Sequence, residues 1–251
     1  MDNHNLSAVI ITKNEERNIG RCLQSLQGVV DEIIVVDSMS SDHTEEICSQ
    51  YTNLQFVKHE WEGYSKQKNF ANSLASNNYI LSIDADEALS PKLQQSILSE
   101  KEKGFSGSYR VKRLTNYCGN WIHHCGWYPD AKIRIFNRNE AQWEGNIHET
   151  LRFAIPNLPK TLKGDLYHYT IYTTEEHLRQ IDLFTDIRAK DLKNKGRKAS
   201  CFNLYIKPAI KFFKIYVLHL GFLDGKSGFQ IAKFSAYSVQ LRYRKINTIQ
   251  A

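Results

Sequence analysis

Apolar residues fall into two alternating rhythms over the first hundred positions. Short runs rich in β-branched residues, Ser7–Thr12, Glu32–Asp37, Leu54–His59 and Ile80–Ile83, read as strands. Between them the spacing changes to that of a helix. Apolar residues at 19, 22, 23 and 26 share one helical face, and Thr44–Tyr51 and Ser65–Ala75 follow as further helices. Ser90 is placed to cap a helix that begins at Pro91, because proline has no backbone N–H to leave unpaired there. Strands and helices in this alternation predict βαβ units and a mostly parallel, Rossmann-like sheet flanked by helices, an α/β fold.

After Gly104 the pattern shifts. Residues 107–114, 132–136 and 162–169 read as strands joined by aromatic loops. The loop from Tyr117 to Asp130 holds two tryptophans, two histidines and two glycines, a composition common in binding loops. From Thr174 the chain reads as helical. Glu175–Lys195 carries apolar residues at 178, 181, 183, 184 and 187, and Lys207–Leu223 mixes bulky apolar residues with Lys207, Lys211 and Lys214. This divides the chain into an α/β domain over 1–173 and a basic amphipathic helical region over 174–251.

Charge sharpens that division. Residues 175–251 hold 15 lysines and arginines against 6 acidic residues, whereas 1–174 hold 18 against 21. An anionic partner for the C-terminal region follows. Its least polar stretch, 212–223, is too short and too charged to span a bilayer. Basic segments with Phe, Tyr and Leu do lie at anionic membrane surfaces, and packing or a dimer contact are the other uses for such helices. The N-terminus shows no basic segment followed by an apolar stretch, so no signal peptide is expected. Five scattered cysteines fit a reducing cytoplasm better than a disulfide framework. Cys118 and Cys125 flank His123 and His124; the spacing matches no common zinc pattern, and ordinary thiols are the simpler reading.

The chemistry concentrates at Asp84-Ala85-Asp86-Glu87, where a buried strand ends in three carboxylates. Unpartnered buried carboxylates are costly, so such a cluster belongs at a cleft. A hard divalent cation, Mg²⁺ or Mn²⁺, shared with substrate phosphates is the natural partner. In parallel sheets ligands bind beyond the carboxyl ends of the strands, where Asp37, Asp84 and Asp86 all fall. Lys13, Arg17, Lys66 and Lys68 sit near strand or helix ends, where they either meet phosphate or stay solvated. Arg134 is a further candidate contact for an anion. Trp121, Trp127 and Tyr128 offer aromatic faces that either stack on a ligand or seal the fold.

These motifs resemble the family-2 inverting glycosyltransferases of GT-A fold. The residues carrying the resemblance are Thr12-Lys13-Asn14-Glu15 after the first strand, Val36-Asp37-Ser38-Met39-Ser40-Ser41-Asp42, and Asp84-Ala85-Asp86. Within that family the chain is most similar to the lipopolysaccharide-core β-glycosyltransferases, through Gly126-Trp127-Tyr128-Pro129-Asp130, Arg134-Ile135-Phe136, Trp143 to Glu149, and Gly221-Phe222-Leu223-Asp224-Gly225. The resemblance implies a nucleotide-sugar site built from Thr12, Asn14, Glu15, Asp37, Ser38, Lys68, Asp84, Ala85, Asp86 and Arg134. Asp37 would accept from the N3–H of uracil, its alternative role being a helix cap. Asp86 would hold the cation, with His168 as an added ligand or else a structural histidine, and Asp84 would reach the ribose or the donor sugar.

Inversion requires a base opposite the leaving group. Glu149 is the first candidate, with His148 positioning the acceptor, and Asp130 is the second. His148-Glu149 departs from the Glu-Asp pair of many family members. The expected activity is transfer of a hexose from a nucleotide sugar, a UDP-sugar foremost, to a glycan or glycolipid hydroxyl at the inner face of the cytoplasmic membrane. A sugar nucleotidyltransferase is the rival enzyme, but it would carry a glycine-rich loop after the first strand, and no glycine precedes Gly20. A catalytically silent sugar-nucleotide-binding relative is the other alternative. A nucleic-acid partner leaves the clustered carboxylates without a use.

Overall fold

The computed structural model of the protein describes residues 3–145 and 149–248. The chain divides into two units: Met1–Arg113 with Asp130–His168, and Leu114–Pro129 with Tyr169–Ala251. The segment 114–129 therefore groups with residues 169–251.

The first unit opens with β1 (Leu6–Thr12), α1 (Ile19–Leu26), β2 (Glu32–Asp37), α2 (Thr44–Cys48), β3 (Leu54–Lys58), α3 (Tyr64–Leu74), β4 (Tyr79–Ser82), β5 (Glu87–Leu89) and α4 (Pro91–Lys103). It continues through β6 (Tyr109–Tyr117), β7 (Asn120–Ile122), β8 (Asp130–Asn137), β9 (Ala141–Glu144), β10 (Thr150–Phe153) and β11 (Lys160–Ile171), with β7 and the ends of β6 and β11 belonging to the second unit. The sheet order is β3-β2-β1-β4-β8-β6-β11-β5. β3, β2, β1 and β4 are parallel, as the alternating pattern predicts; β4–β8, β6–β8 and β11–β5 are antiparallel. β9 and β10 form a small second sheet. This is the mixed α/β architecture expected of a GT-A fold.

The local readings hold where periodicity was strong. Ile19, Cys22, Leu23 and Leu26 are all fully buried, and the Ser90 hydroxyl accepts from the Leu93 amide to cap α4. The three-residue β5 was not anticipated. It is too short to show a pattern and exists because Leu89, Ala88 and Glu87 pair with Leu166, Tyr167 and His168.

The second unit holds α5 (Thr174–Asn194), a helix running from a π turn at Phe202–Ile206 through α6 (Lys207–Phe213) to a second π turn at Lys214–Leu218, a 3₁₀ turn at Gly221–Asp224, and α7 (Gly225–Thr248). The buried face of α5 is His177, Ile181, Thr185 and Ala189, while Leu183, Phe184 and Ile187 are more than half exposed. The apolar residues at 183, 184 and 187 therefore do not mark the packed stripe. The stripe is His177, Ile181, Thr185 and Ala189, at a spacing of four, so of the predicted apolar positions Ile181 lies on it. The helix expected over 207–223 stops at Leu218, and Leu220 turns the chain with φ 54°.

Candidate active site

The carboxyl ends of β1, β2 and β4 lie side by side, since β1 pairs in parallel with both neighbours and Thr12 faces Asp37. The loops that follow are bolted together. The Asn14 amide donates to Ser40 Oγ at 2.7 Å, the Ser41 amide to Asn14 Oδ1 at 2.9 Å, and the Glu15 amide to Thr44 Oγ1 at 2.9 Å. Asp37 is fully buried beneath this junction. Its Oδ2 accepts from the Ser40 amide at 2.8 Å and its Oδ1 from Ser40 Oγ at 2.5 Å. Asp37 thus braces the loop in the manner of a cap, and Asn14 serves the same brace.

A cleft of about 590 Å³ opens over these ends. Thr12, Glu15, Ser38, Lys68, Asp84, Ala85, Asp86, Glu149 and His168 all line it, as does Lys13. Residues from β1, β2, α3, the turn after β4, the segment before β10 and β11 therefore meet at one place. Trp61 and Tyr64 also line it, in an edge-to-face pair with centroids 4.8 Å apart. They escaped sequence reading because Trp61 stands in a polar stretch before α3 and Tyr64 opens that helix, without a motif around them.

Asp84, Ala85 and Asp86 form a tight turn closed from both sides. The Asp84 amide donates to Glu87 Oε2, and the Glu87 amide to the Asp84 carbonyl. Arg134 on β8 reaches both carboxylates, 2.8 Å from Asp84 Oδ2 and 2.5 Å from Glu87 Oε1. Arg134 is 4% exposed, so its charge is spent inside this network. Burial alone would raise the Asp84 carboxyl, but the charges of Arg134 and Lys68 and the Arg134 hydrogen bond hold it well below the usual carboxylate range. Glu87 has no exposure, and desolvation pushes it up despite Arg134. The two carboxyls are thereby driven apart: Asp84 is kept charged beneath the cleft, and Glu87 is its support.

Asp86 Oδ2 lies 3.2 Å from His168 Nε2, both partly exposed to the cleft. Among the described residues no group of three or more His, Cys, Asp or Glu is arranged around a metal position. One carboxylate and one imidazole suit a cation that takes its remaining ligands from water and phosphate, as Mg²⁺ and Mn²⁺ do. The donor set fits such an ion shared with a substrate, and does not form a closed structural metal cage.

Lys68 is 5% exposed. Its ammonium is 3.0 Å from Glu149 Oε1, 3.6 Å from Asp84 Oδ1 and 4.6 Å from the centre of the Trp143 ring. Lys68 thus bridges two carboxylates at the edge of the cleft. Asp130 is elsewhere: Arg113 holds its Oδ2 at 2.6 Å and Lys132 its Oδ1 at 3.2 Å, and it does not line the cleft. Burial opposes ionisation of Asp130, but Arg113 and Lys132 keep its carboxyl below the ordinary range. His148 lies outside the described residues.

The aromatic loop belongs to the second unit. His123 and His124 amides and the His124 ring bond to Asp224, and Cys125 Sγ approaches the same carboxylate at 3.6 Å. Burial, then Asp224, push the Cys125 thiol up to about 12, so it is a neutral core thiol. The Gly-Phe-Leu-Asp-Gly segment is accordingly an anchor for this loop. A Cβ at Gly228 would overlap the Gly221 carbonyl oxygen, which excludes larger residues from that crossing. Trp127 packs edge-on to buried Tyr117, in the sealing role.

A carboxylate turn at a strand edge, a candidate base beside it and aromatic side chains at the rim are the parts of a sugar-transfer enzyme. Residues 7–156 match the family model described as glycosyl transferase family 2, and the chain belongs to that family. It is 31% identical over 255 residues to an uncharacterized glycosyltransferase of Rickettsia typhi, covering 97% of this chain and 87% of that protein. It is 27% identical to the lipopolysaccharide core biosynthesis glycosyltransferase LpsC of Rhizobium meliloti, covering 96% and 91%. Among solved structures it is similar to S. aureus TarS 1-349 in complex with UDP-GlcNAc, at 16% identity and a TM-score of 0.49, covering 96% and 92%. Family membership sets the nucleotidyltransferase reading aside.

Proposed function

We propose that the protein is an inverting hexosyltransferase that uses a nucleotide sugar, a UDP-sugar foremost, and glycosylates a hydroxyl of a lipopolysaccharide-core or related envelope glycan. One observation carries this reading: Glu149 lines the same cleft as Asp84, Ala85 and Asp86, whereas Asp130 is held by two cations outside it. Glu149 takes the proton of the acceptor hydroxyl as its oxygen attacks the anomeric carbon. The bond from that carbon to the diphosphate oxygen breaks, and the electron pair leaves with the nucleoside diphosphate. Lys68 orients Glu149 and keeps a positive charge beside Asp84. Trp61 and Tyr64 supply aromatic surface at the rim, and the braced Asp37–Asp42 loop receives the base. A Mg²⁺ or Mn²⁺ ion held by Asp86 and His168 would neutralise charge on the departing diphosphate. The name of the Rhizobium relative supports the acceptor class.

The same reading includes contact with an anionic membrane at its inner face. No described helix is long and apolar enough to cross a bilayer. Phe213, Val217, Leu218, Leu220, Phe222 and Leu223 are nevertheless each at least 40% exposed, beside Lys207, Lys211 and Lys214. Apolar side chains interleaved with lysines suit the interface of an anionic bilayer.

Calorimetric titration with UDP, with GDP and CDP as controls and with or without Mn²⁺, tests the donor site. Metal-dependent, UDP-selective binding is expected. Failure of folded protein to bind any of the three would remove the nucleotide-sugar reading.

A further inference from the structure

A second cavity, of about 660 Å³, adjoins the first and shares Lys68, Asp84 and Glu149 with it. Its other charged lining is cationic: Arg110, Arg113, Lys132 and Arg134. Most of this charge is already matched. Arg134 serves Asp84 and Glu87, Arg113 serves Asp130, and Lys68 serves Glu149. Two groups stand apart. Lys132 has a half-exposed side chain and shares Asp130 with Arg113. Arg110 is partly buried on β6, opposite Ile133 of β8 in the strand register and one position from the Val111–Lys132 pair, and its side chain has no ion pair or hydrogen bond among the described residues.

We propose that this cavity is the acceptor site, and that the acceptor carries a phosphate or carboxylate near the attacking hydroxyl, bound by Arg110 with Lys132. The proposal rests on the transferase reading above. Glu149 lines both cavities, so an acceptor in one presents its hydroxyl to the carboxylate that also faces the donor cleft. A guanidinium fork matches the paired oxygens of either anion. A neutral sugar covering Arg110 would strip its water and return no charged partner, which selects against uncharged acceptors.

The test is a titration of the whole protein, saturated with UDP and Mg²⁺, with a hexose 6-phosphate, a hexuronate and the neutral hexose, followed by NMR chemical shifts. At least one of the two anionic sugars should bind about tenfold more tightly than the neutral one, the size of a charge-assisted contact. Added NaCl should erode that margin. Arg110→Ala, and independently Arg110→Gln, should remove it while UDP is still bound. The phosphate and carboxylate arms separate the two sources of negative charge. Equal binding of all three sugars, or a margin that survives both substitutions, overturns the proposal and leaves the donor site standing. Loss of UDP binding by the folded wild-type protein removes the donor reading and this inference with it.

Discussion

The first unit buries Arg134, Glu87, Asp37 and Lys68 almost completely and leaves few large apolar side chains in solvent. The second does the reverse. It fills helix contacts with Thr185, Ala189 and Ser227 and exposes Leu183, Phe184, Ile187, Phe213, Leu218 and Leu223. Buried ion pairs are seldom a source of net stability, because desolvation offsets the Coulomb gain. Exposed apolar side chains in such number are likewise unfavourable in a protein surrounded only by water. On the reading proposed above, each unit departs from simple burial rules where it would meet something else: a charged substrate in the first, a membrane surface in the second.

Removing the first unit's central carboxylate gives the strongest contrast. Glu149→Gln should lower the transfer rate about 10²–10⁴-fold, the range for a lost general base, while calorimetry still registers UDP. Near-normal turnover would return the role of base to Asp130. Arg134→Met should destabilise the protein by about 3–5 kcal/mol, since Asp84 and Glu87 lose their buried counter-charge. Denaturant unfolding measures this, and an unchanged midpoint would mean that water or Arg113 replaces the pair.

In the second unit, Phe222→Ser with Leu223→Ser should leave the fold intact and weaken sedimentation with vesicles containing phosphatidylserine. Each apolar side chain withdrawn from the interface accounts for about 1.5 kcal/mol or more. Equal sedimentation of variant and wild type would make these residues a protein contact instead.

The smallest effect concerns pH. His177 is buried against Tyr117 and Phe234, with Nδ1 3.1 Å from the Tyr117 hydroxyl. Desolvation lowers its pKa from 6.5, so the folded state keeps the ring neutral while the unfolded chain protonates. Stability is complete above the unfolded value and is lost as pH falls through about 6.5. Asp84 has a depressed folded pKa, so its contribution persists until pH falls below its usual 3.8. Denaturation midpoints between pH 7.5 and 5 should therefore decline in the wild type and flatten in His177→Asn; parallel profiles would exclude His177 as the cause.

Much of the first unit was legible from residues alone. The parallel strands β1 to β4, the burial of Ile19, Cys22, Leu23 and Leu26, the cap at Ser90 and the carboxylate turn at 84–86 follow from local chemistry: side-chain periodicity, capping geometry and the cost of an unpaired charge. The order of motifs also carried the family. Other features depend on which distant segments meet. Arg134 is the counter-ion of Asp84 and Glu87, 50 and 47 residues away, a pairing that no local pattern shows. Lys68 meets Glu149 across 81 residues, and Asp224 anchors His123 and His124 across about 100. Most predicted apolar residues of α5 lie outside its buried face, where Ile181 joins His177, Thr185 and Ala189. Periodicity and capping act within a few residues and leave a trace in the sequence. Charge pairing and helix packing act through space, and only the folded chain decides them.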